Sequence, residues 1–184
     1  MQTGLKEARA EREETVAAAE RREAEPARTL RVCFVCTGNT CRSPMAAAVA
    51  NHLAKTEREA YPEAMRDALP LRVEAISAGL AANEGEPIAR NAVTALEQAG
   101  IEPVPAHDYR THTAHNLPPE IAEQCDLIVG MTGGHVMELL MRFPMCAGKI
   151  TGMPEPVPDP YGGDEAAYRA ALETIFRGVK ELFR

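Results

Sequence analysis

The fold and the chemistry of this chain are both indicated by one stretch, residues 32–44, which reads VCFVCTGNTCRSP. Its first residues are apolar, which predicts a buried strand. A loop containing a glycine follows, and Pro44 then opens an alanine-rich segment, as is typical of the first turn of a helix. At such a junction the backbone N–H groups point into the loop, and the helix dipole adds positive potential. The stretch therefore predicts a binding site for an anion.

Two side chains make this loop a candidate catalytic site. Cys36 ends the predicted strand and would face the loop, where N–H groups and the helix dipole stabilise a negatively charged thiolate. Arg42, six positions later, offers a planar fork that matches two phosphate oxygens. Ser43 can donate its hydroxyl to the thiolate and also cap the helix. Gly38 allows close backbone approach, and Asn39 tolerates a left-handed turn. These features predict hydrolysis of a phosphate ester or phosphoramidate through a phosphocysteine.

Composition restricts the class of protein. At 184 residues the chain has the size of one domain with an ordinary core. Its formal charge of −7, without a basic patch interleaved with aromatic residues, argues against nucleic acid as a partner. No apolar run approaches the length of a membrane span, and the N-terminus lacks the apolar core of a signal peptide, so we expect no membrane association. Five cysteines without a disulfide-scaffold spacing favour the reducing cytoplasm.

Two regions of the chain differ in character. Residues 1–29 form a charged N-terminal extension with few large apolar side chains, so we expect a solvated helix or a disordered segment there. The sequence does not indicate a binding partner for this extension. A single domain is predicted over residues 30–184, where strands and helices alternate. Strands are predicted at 30–36, 71–77, 125–130 and 149–152, and helices at 44–56, 87–98, 135–142 and 164–183.

This alternation indicates the fold class. Continuous apolar strands interleaved with helices predict a parallel sheet with helices on both faces, that is, a three-layer α/β sandwich with four strands. Functional sites in such sheets form at the carboxyl ends of the strands. Asp159 follows the fourth predicted strand and Cys36 ends the first, so both should lie on the same edge of the sheet.

Four motifs, in order, resemble those of the low-molecular-weight protein tyrosine phosphatases. They are the loop CTGNTCRSPM from Cys36, then Ser77-Ala78-Gly79, MTGGH from Met131, and DPYGG from Asp159. The resemblance covers about residues 31–184 and implies the strand order 2-1-3-4. It also implies that Cys36 is the nucleophile, that Arg42 holds the phosphate, and that the rest of the phosphate-binding loop consists of Thr37, Gly38, Asn39, Thr40, Cys41 and Ser43.

Asp159 is the candidate general acid. It lies between two prolines, and a carboxyl group fixed near the nucleophile can protonate the leaving group and then activate water. An aspartate before a proline is also a common way to start a turn, so its position alone leaves both interpretations open. The match of the Asp-Pro-Tyr motif to the family favours the catalytic one.

The resemblance implies further roles around the loop. Ser77 and His112 fall where the family places polar groups that support the loop asparagine, Asn39. Cys41 lies in the same loop as Cys36, and in the family a reversible disulfide between this pair protects the nucleophile from over-oxidation. His112 and His115 are the only closely spaced histidines and lack a cluster of further ligands, so we expect no metal and no cofactor.

Thr40 and Tyr161 bear on the substrate. In tyrosine-specific members the site of Thr40 is usually aliphatic and packs against the phenyl ring, whereas threonine resembles the bacterial protein-arginine phosphatase branch. The single Tyr161, followed by two glycines, also departs from the double tyrosine of many tyrosine-specific members. We therefore predict a phosphatase that acts on phosphorylated proteins, with phosphoarginine as the substrate. A phosphotyrosine-specific enzyme is the alternative.

Two further interpretations remain. Arsenate reductases share the Cys-Thr-Gly-Asn loop, but they need two more cysteines close together, and Cys125 and Cys146 are well separated in sequence. A non-catalytic module that binds phosphorylated residues is the second. The presence of Cys36, Arg42 and Asp159 together argues against it.

Overall fold

The computed structural model describes residues 28–61 and 71–183. Most of the predicted charged extension lies outside these residues, so its conformation stays a prediction. Arg28 and Thr29, which are predicted to belong to that extension, belong instead to the first strand. They pair with the backbone of the second strand, and the Arg28 guanidinium lies 3.4 Å from the Asp126 carboxylate.

Strands and helices alternate along the described residues. The strands are β1 (Arg28–Cys36), β2 (Leu71–Gly79), β3 (Leu127–Gly130) and β4 (Ile150–Gly152), and the helices are α1 (Arg42–Glu59), α2 (Arg90–Gln98), α3 (Pro119–Gln124), α4 (Gly133–Arg142) and α5 (Glu165–Leu182). Short 3₁₀ helices cover Tyr109–Thr111 and Pro144–Lys149. All strand pairs are parallel, and the order is β2-β1-β3-β4. The predicted sheet and its order are confirmed.

The central strand β1 divides the core into two clusters. Val32, Phe34 and Cys36 point to one face, where α1, α2 and α5 cover the sheet. Cys33 and Val35 point to the other face, which α3 and α4 cover. This alternation follows from the two-residue repeat of a strand, and it confirms a sheet with helices on both faces.

Backbone hydrogen bonds tie the carboxyl ends of the strands into one edge. Leu80 N–H donates to the Cys36 carbonyl at 3.0 Å, directly after β2. Met131 N–H donates to Val35 at 3.0 Å, and Met153 N–H donates to Gly130 at 3.0 Å. The loops that follow all four strands therefore meet around the end of β1.

The predicted start of the second helix is wrong by three residues. The helix begins at Arg90 rather than residue 87, because the preceding backbone is paired elsewhere. Pro87 forms a bridge with Thr113, and Ala89 N–H donates to the Thr40 carbonyl at 2.8 Å. Because this backbone is paired with the phosphate-loop region, the helix begins three residues later than predicted.

The third and fourth strands are shorter than predicted. Cys125 ends α3, since its N–H donates to the Ile121 carbonyl at 3.1 Å, so β3 begins only at Leu127. Lys149 belongs to a 3₁₀ helix, and β4 begins at Ile150. Within residues 28–61 and 71–183, no helix is long and apolar enough to cross a bilayer.

Candidate active site

Cys36 is buried at the end of β1 with two polar groups on its sulfur. The Asn39 N–H lies 3.3 Å from Sγ and the Ser43 Oγ lies 3.0 Å from it. The Asn39 side-chain N–H donates to Ser43 Oγ at 3.0 Å, so the single Ser43 proton is free to point to the sulfur or to the Ala78 carbonyl, 3.3 Å away. A negative charge on Sγ would attract that proton, so this arrangement stabilises a thiolate.

The predicted cap by Ser43 is wrong. Helix α1 begins at Arg42 with Cys41 in the capping position, and no side chain caps it. Ser43 is the second residue of the helix, and its hydroxyl is engaged by Cys36, Asn39 and Ala78 instead. The hydroxyl therefore interacts with these three groups and does not cap the helix.

Asn39 holds the loop in place. Its φ angle of 56° lies in the left-handed region, which asparagine tolerates better than most residues. Its Nδ2 also donates to Ser77 Oγ at 3.0 Å, and its Oδ1 accepts from the His115 N–H at 3.0 Å. His112 Nε2 donates to the Asn39 carbonyl at 2.9 Å. The structure thus brings both residues expected to support the loop, Ser77 and His112, into contact with Asn39.

Arg42 joins the loop to the segment after β4. Its Nη2 donates to Asp159 Oδ2 at 2.8 Å, and Asp159 Oδ1 accepts from the Tyr161 N–H at 3.2 Å. The Arg42 side chain is 9% exposed and that of Asp159 is 56% exposed. The guanidinium is thus fixed inside the protein, while the Asp159 carboxylate lies at the surface.

These groups surround one cavity of about 290 Å³. Cys36 lies in its wall together with Arg42 and Asp159, as expected for ends of parallel strands that share an edge. The other lining residues are Thr37, Gly38, Asn39, Thr40, Cys41, Ala81, Asn83, Glu86 and Tyr161. Every predicted residue of the loop except the buried Ser43 therefore contributes to the cavity.

The sequence pattern assigns no role to His135, although this residue lies in the MTGGH motif. Its Nε2 lies 3.0 Å from Thr37 Oγ1, and its Nδ1 lies 2.8 Å from Thr132 Oγ1. Burial, together with the Arg42 charge, lowers the pKa of His135, which keeps the imidazole neutral. The ring thus links the phosphate loop to the N-terminus of α4. Its place after β3, on the same sheet edge, was the signal that could have identified it.

The sequence pattern also assigns no role to Tyr168 or Gly79, although both contact the phosphate loop. The Tyr168 hydroxyl lies 3.2 Å from Cys41 Sγ, and burial, followed by this contact, raises the pKa of Tyr168. A Cβ on Gly79 would lie 2.7 Å from the Thr37 carbonyl oxygen, too close for any other residue. Gly79 therefore lets the end of β2 pack directly against the phosphate loop. In the sequence, the Ser77-Ala78-Gly79 motif is the only indication of this contact.

The remaining cysteines lie away from this site. Cys33, Cys125 and Cys146 belong to the core cluster on the opposite face of the sheet from Cys36. Across residues 28–61 and 71–183, no three His, Cys, Asp or Glu side chains are grouped so as to hold a metal ion.

Known proteins are similar to this chain in sequence and in fold. The family model described as low molecular weight phosphotyrosine protein phosphatase matches residues 31–184. A protein-arginine-phosphatase of Geobacillus stearothermophilus is 34% identical, over 82% of this chain and 94% of that protein. A probable low molecular weight protein-tyrosine-phosphatase, EpsP, of Ralstonia nicotianae is also 34% identical, over 80% of this chain and 90% of that protein.

Solved structures are also similar to this chain in fold. The arginine phosphatase YwlE from G. stearothermophilus superposes with a TM-score of 0.65 at 32% identity, covering 83% of this chain and 90% of that one. A low molecular weight protein tyrosine phosphatase from T. tengcongensis gives 0.70 at 32% identity, covering 84% and 97%. The chain belongs to the low molecular weight phosphotyrosine protein phosphatase family and is a cysteine-dependent protein phosphatase.

Proposed function

We propose that this phosphatase hydrolyses phosphoarginine in proteins, through a phosphocysteine on Cys36. The observation that carries the choice of substrate is Thr40. Its side chain is 7% exposed and lines the cavity, so a hydroxyl stands where an aliphatic side chain would pack against a phenyl ring. The Thr40 hydroxyl in the cavity wall can accept a hydrogen bond from the N–H groups of a guanidinium. The edge of an aromatic ring has no such donors, so this wall favours the guanidinium.

The first step transfers the phosphoryl group to sulfur. Cys36 attacks phosphorus in line with the leaving nitrogen, and the bond from phosphorus to nitrogen breaks as the bond to sulfur forms. Arg42, whose side chain is 9% exposed, lines the cavity, and its fork binds two phosphate oxygens as charge redistributes over them. The cavity N–H groups at the start of α1 add further positive potential.

Asp159 serves as the acid in that step and as the base in the next. In the protonated form it gives its proton to the leaving nitrogen, so the arginine departs as its guanidinium cation and Asp159 is left as a carboxylate. The resulting carboxylate takes a proton from water, which attacks the phosphocysteine and releases inorganic phosphate. The exposed position of Asp159, at the mouth of the cavity, suits contact with both the leaving group and water.

Release of phosphate from para-nitrophenyl phosphate tests the chemistry. Cys36→Ser should abolish it, because an alcohol at this position is a far poorer nucleophile than a thiolate. Cys125→Ala, on the opposite face of the sheet, is the matched control and should retain activity. Retained activity in Cys36→Ser would exclude the phosphocysteine route.

The choice of substrate is tested with two peptides that differ only in carrying phosphoarginine or phosphotyrosine. We expect a higher kcat/KM for phosphoarginine, and we expect Thr40→Ile to shift the preference toward phosphotyrosine. Thr40→Val, which removes the hydroxyl and nearly keeps the shape, separates polarity from size. Equal or better activity on phosphotyrosine, unaffected by Thr40→Ile, would contradict the assignment.

Phosphotyrosine hydrolysis is the second candidate. Tyr161 lies at the rim of the cavity and is 75% exposed, so its ring is available to stack on an aromatic substrate. EpsP, named as a tyrosine phosphatase, is as similar to this chain as the arginine phosphatase. Overall similarity therefore favours neither substrate.

The disulfide between Cys36 and Cys41 stays a proposal. All five cysteines are free thiols in this structure, which suits a thiolate enzyme of the reducing cytoplasm, where we propose that it acts. To form the disulfide, Cys41 must leave the Tyr168 hydroxyl. Mass spectrometry after mild peroxide should find the disulfide, whereas sulfinic acid on Cys36 without any disulfide would contradict it.

A further inference from the structure

Glu86 lies at the rim of the catalytic cavity on a fixed backbone. Its N–H donates to the Asn83 carbonyl at 3.1 Å, and its own carbonyl accepts from the Ala114 N–H at 2.7 Å. Its side chain is exposed, and it lines the same cavity as Cys36 and Asp159. The turn thus presents a carboxylate at the mouth of a site built for an anion.

The neighbouring Glu84 has a structural role. Its Oε1 accepts from the Asn116 N–H at 2.9 Å and from the Asn116 side-chain amide at 2.8 Å, and these bonds lower the pKa of Glu84. Glu84 therefore fixes the turn. The Glu86 carboxylate makes no hydrogen bond or ion pair with any residue between 28 and 61 or between 71 and 183.

An acid in this position is unfavourable for phosphate itself. A carboxylate beside the cavity repels a dianionic phosphoryl group, so it weakens binding unless the rest of the substrate compensates. A phosphotyrosine ring cannot compensate for this repulsion, since it has no positive charge and no N–H groups to interact with the carboxylate. A guanidinium has both.

We propose that Glu86 recognises the guanidinium of the substrate, as a specificity-determining residue for the phosphoarginine activity proposed above, on which this inference rests. With the phosphoryl group held by Arg42, the guanidinium points out of the cavity toward the rim. Its remaining N–H groups then donate to the Glu86 carboxylate. Asp159 cannot supply this negative charge before transfer, because as the acid it is neutral at that moment. Glu86 is the other acidic residue that lines the cavity, so it is placed to pair with the cation.

The test measures kcat/KM for matched phosphoarginine and phosphotyrosine peptides in the wild type and in Glu86→Gln. We expect about a tenfold loss on phosphoarginine, the scale of one charge-assisted hydrogen bond. Activity on phosphotyrosine should rise, because the repulsion is removed. The ratio of the two activities is the quantity that decides. Glu86→Lys should lower this ratio further.

Glu173→Gln is the matched control, because Glu173 is an exposed acid on α5 that does not line this cavity. It should leave both activities unchanged. An unchanged ratio in Glu86→Gln, or an equal loss on both peptides, overturns the role of Glu86. A wild type that prefers phosphotyrosine, while Glu86→Gln still lowers the ratio, overturns the proposed substrate but leaves the cation-binding role standing. The two failures are therefore distinguishable.

Discussion

Asn39 fixes the phosphate loop through its backbone and its side chain at once. The left-handed φ angle turns the chain so that its N–H faces the Cys36 sulfur. The side-chain amide meanwhile binds Ser43, Ser77 and the His115 backbone. The shape of the loop therefore depends strongly on one residue.

We expect Asn39→Ala to lower the free energy of unfolding by about 2–4 kcal/mol, since it strains the backbone and leaves buried partners unpaired. Asn39→Gly removes the same hydrogen bonds but accepts a positive φ, so it should be less destabilising by about 1 kcal/mol. Urea denaturation measures both. Equal losses in the two variants would show that the backbone conformation is not strained for alanine.

At the scale of elements, the end of β2 packs against the loop after β1 with no space for a side chain at Gly79. A Cβ there would lie 2.8 Å from the Ala82 Cβ, in addition to its clash with the Thr37 carbonyl. Because one of the clashing groups is backbone, relief requires the strand and the loop to separate.

Gly79→Ala should therefore lower the free energy of unfolding by about 2–3 kcal/mol and reduce turnover of para-nitrophenyl phosphate. Gly148→Ala is the control, because nothing lies within 4 Å of the added Cβ. That variant should change stability by less than about 1 kcal/mol. Thermal and urea unfolding of both variants measure the difference. A Gly79→Ala protein as stable as the control would refute the tight packing.

The order and number of strands were predictable from the sequence, because apolar runs such as 32–36 alternate with amphipathic helices and the motifs fix the family. The boundaries were less predictable. Ala89 has the pattern of a helix residue, yet its N–H is bound to Thr40 in the phosphate loop. The contacts of His135 and Tyr168 with the loop were not predictable either, because each pairs residues far apart in sequence through hydroxyl or imidazole groups with no periodic signature.

At the scale of the whole molecule, stability should depend on pH through two histidines. Burial lowers the pKa of His112 and of His135, so the folded protein holds both as neutral imidazoles. In the unfolded chain they titrate near their ordinary value, about 6.5. Below that pH the unfolded chain binds protons that the folded protein does not, so the free energy of unfolding falls as pH falls.

Urea denaturation between pH 8 and pH 5 should therefore show stability decreasing below about pH 6.5. The surface carboxylates whose pKa values are lowered, Glu84, Asp108 and Asp126, lose their contribution only near and below their ordinary values of about 4. His112→Asn should reduce the slope between pH 7 and pH 5. A slope equal to that of the wild type would mean that His112 does not hold a depressed pKa.

The pairing of Arg42 with Asp159 makes the carboxylate a tethered competitor of the substrate. Phosphate must displace it from the guanidinium, and that exchange frees Asp159 to take up a proton and to turn to the leaving group. Competition of this kind lowers affinity for any anion. Asp159→Asn should therefore bind inorganic phosphate more tightly, by about tenfold, while turnover falls. Isothermal titration calorimetry measures that affinity, and unchanged or weaker binding would show that the Asp159 carboxylate does not compete with phosphate for Arg42.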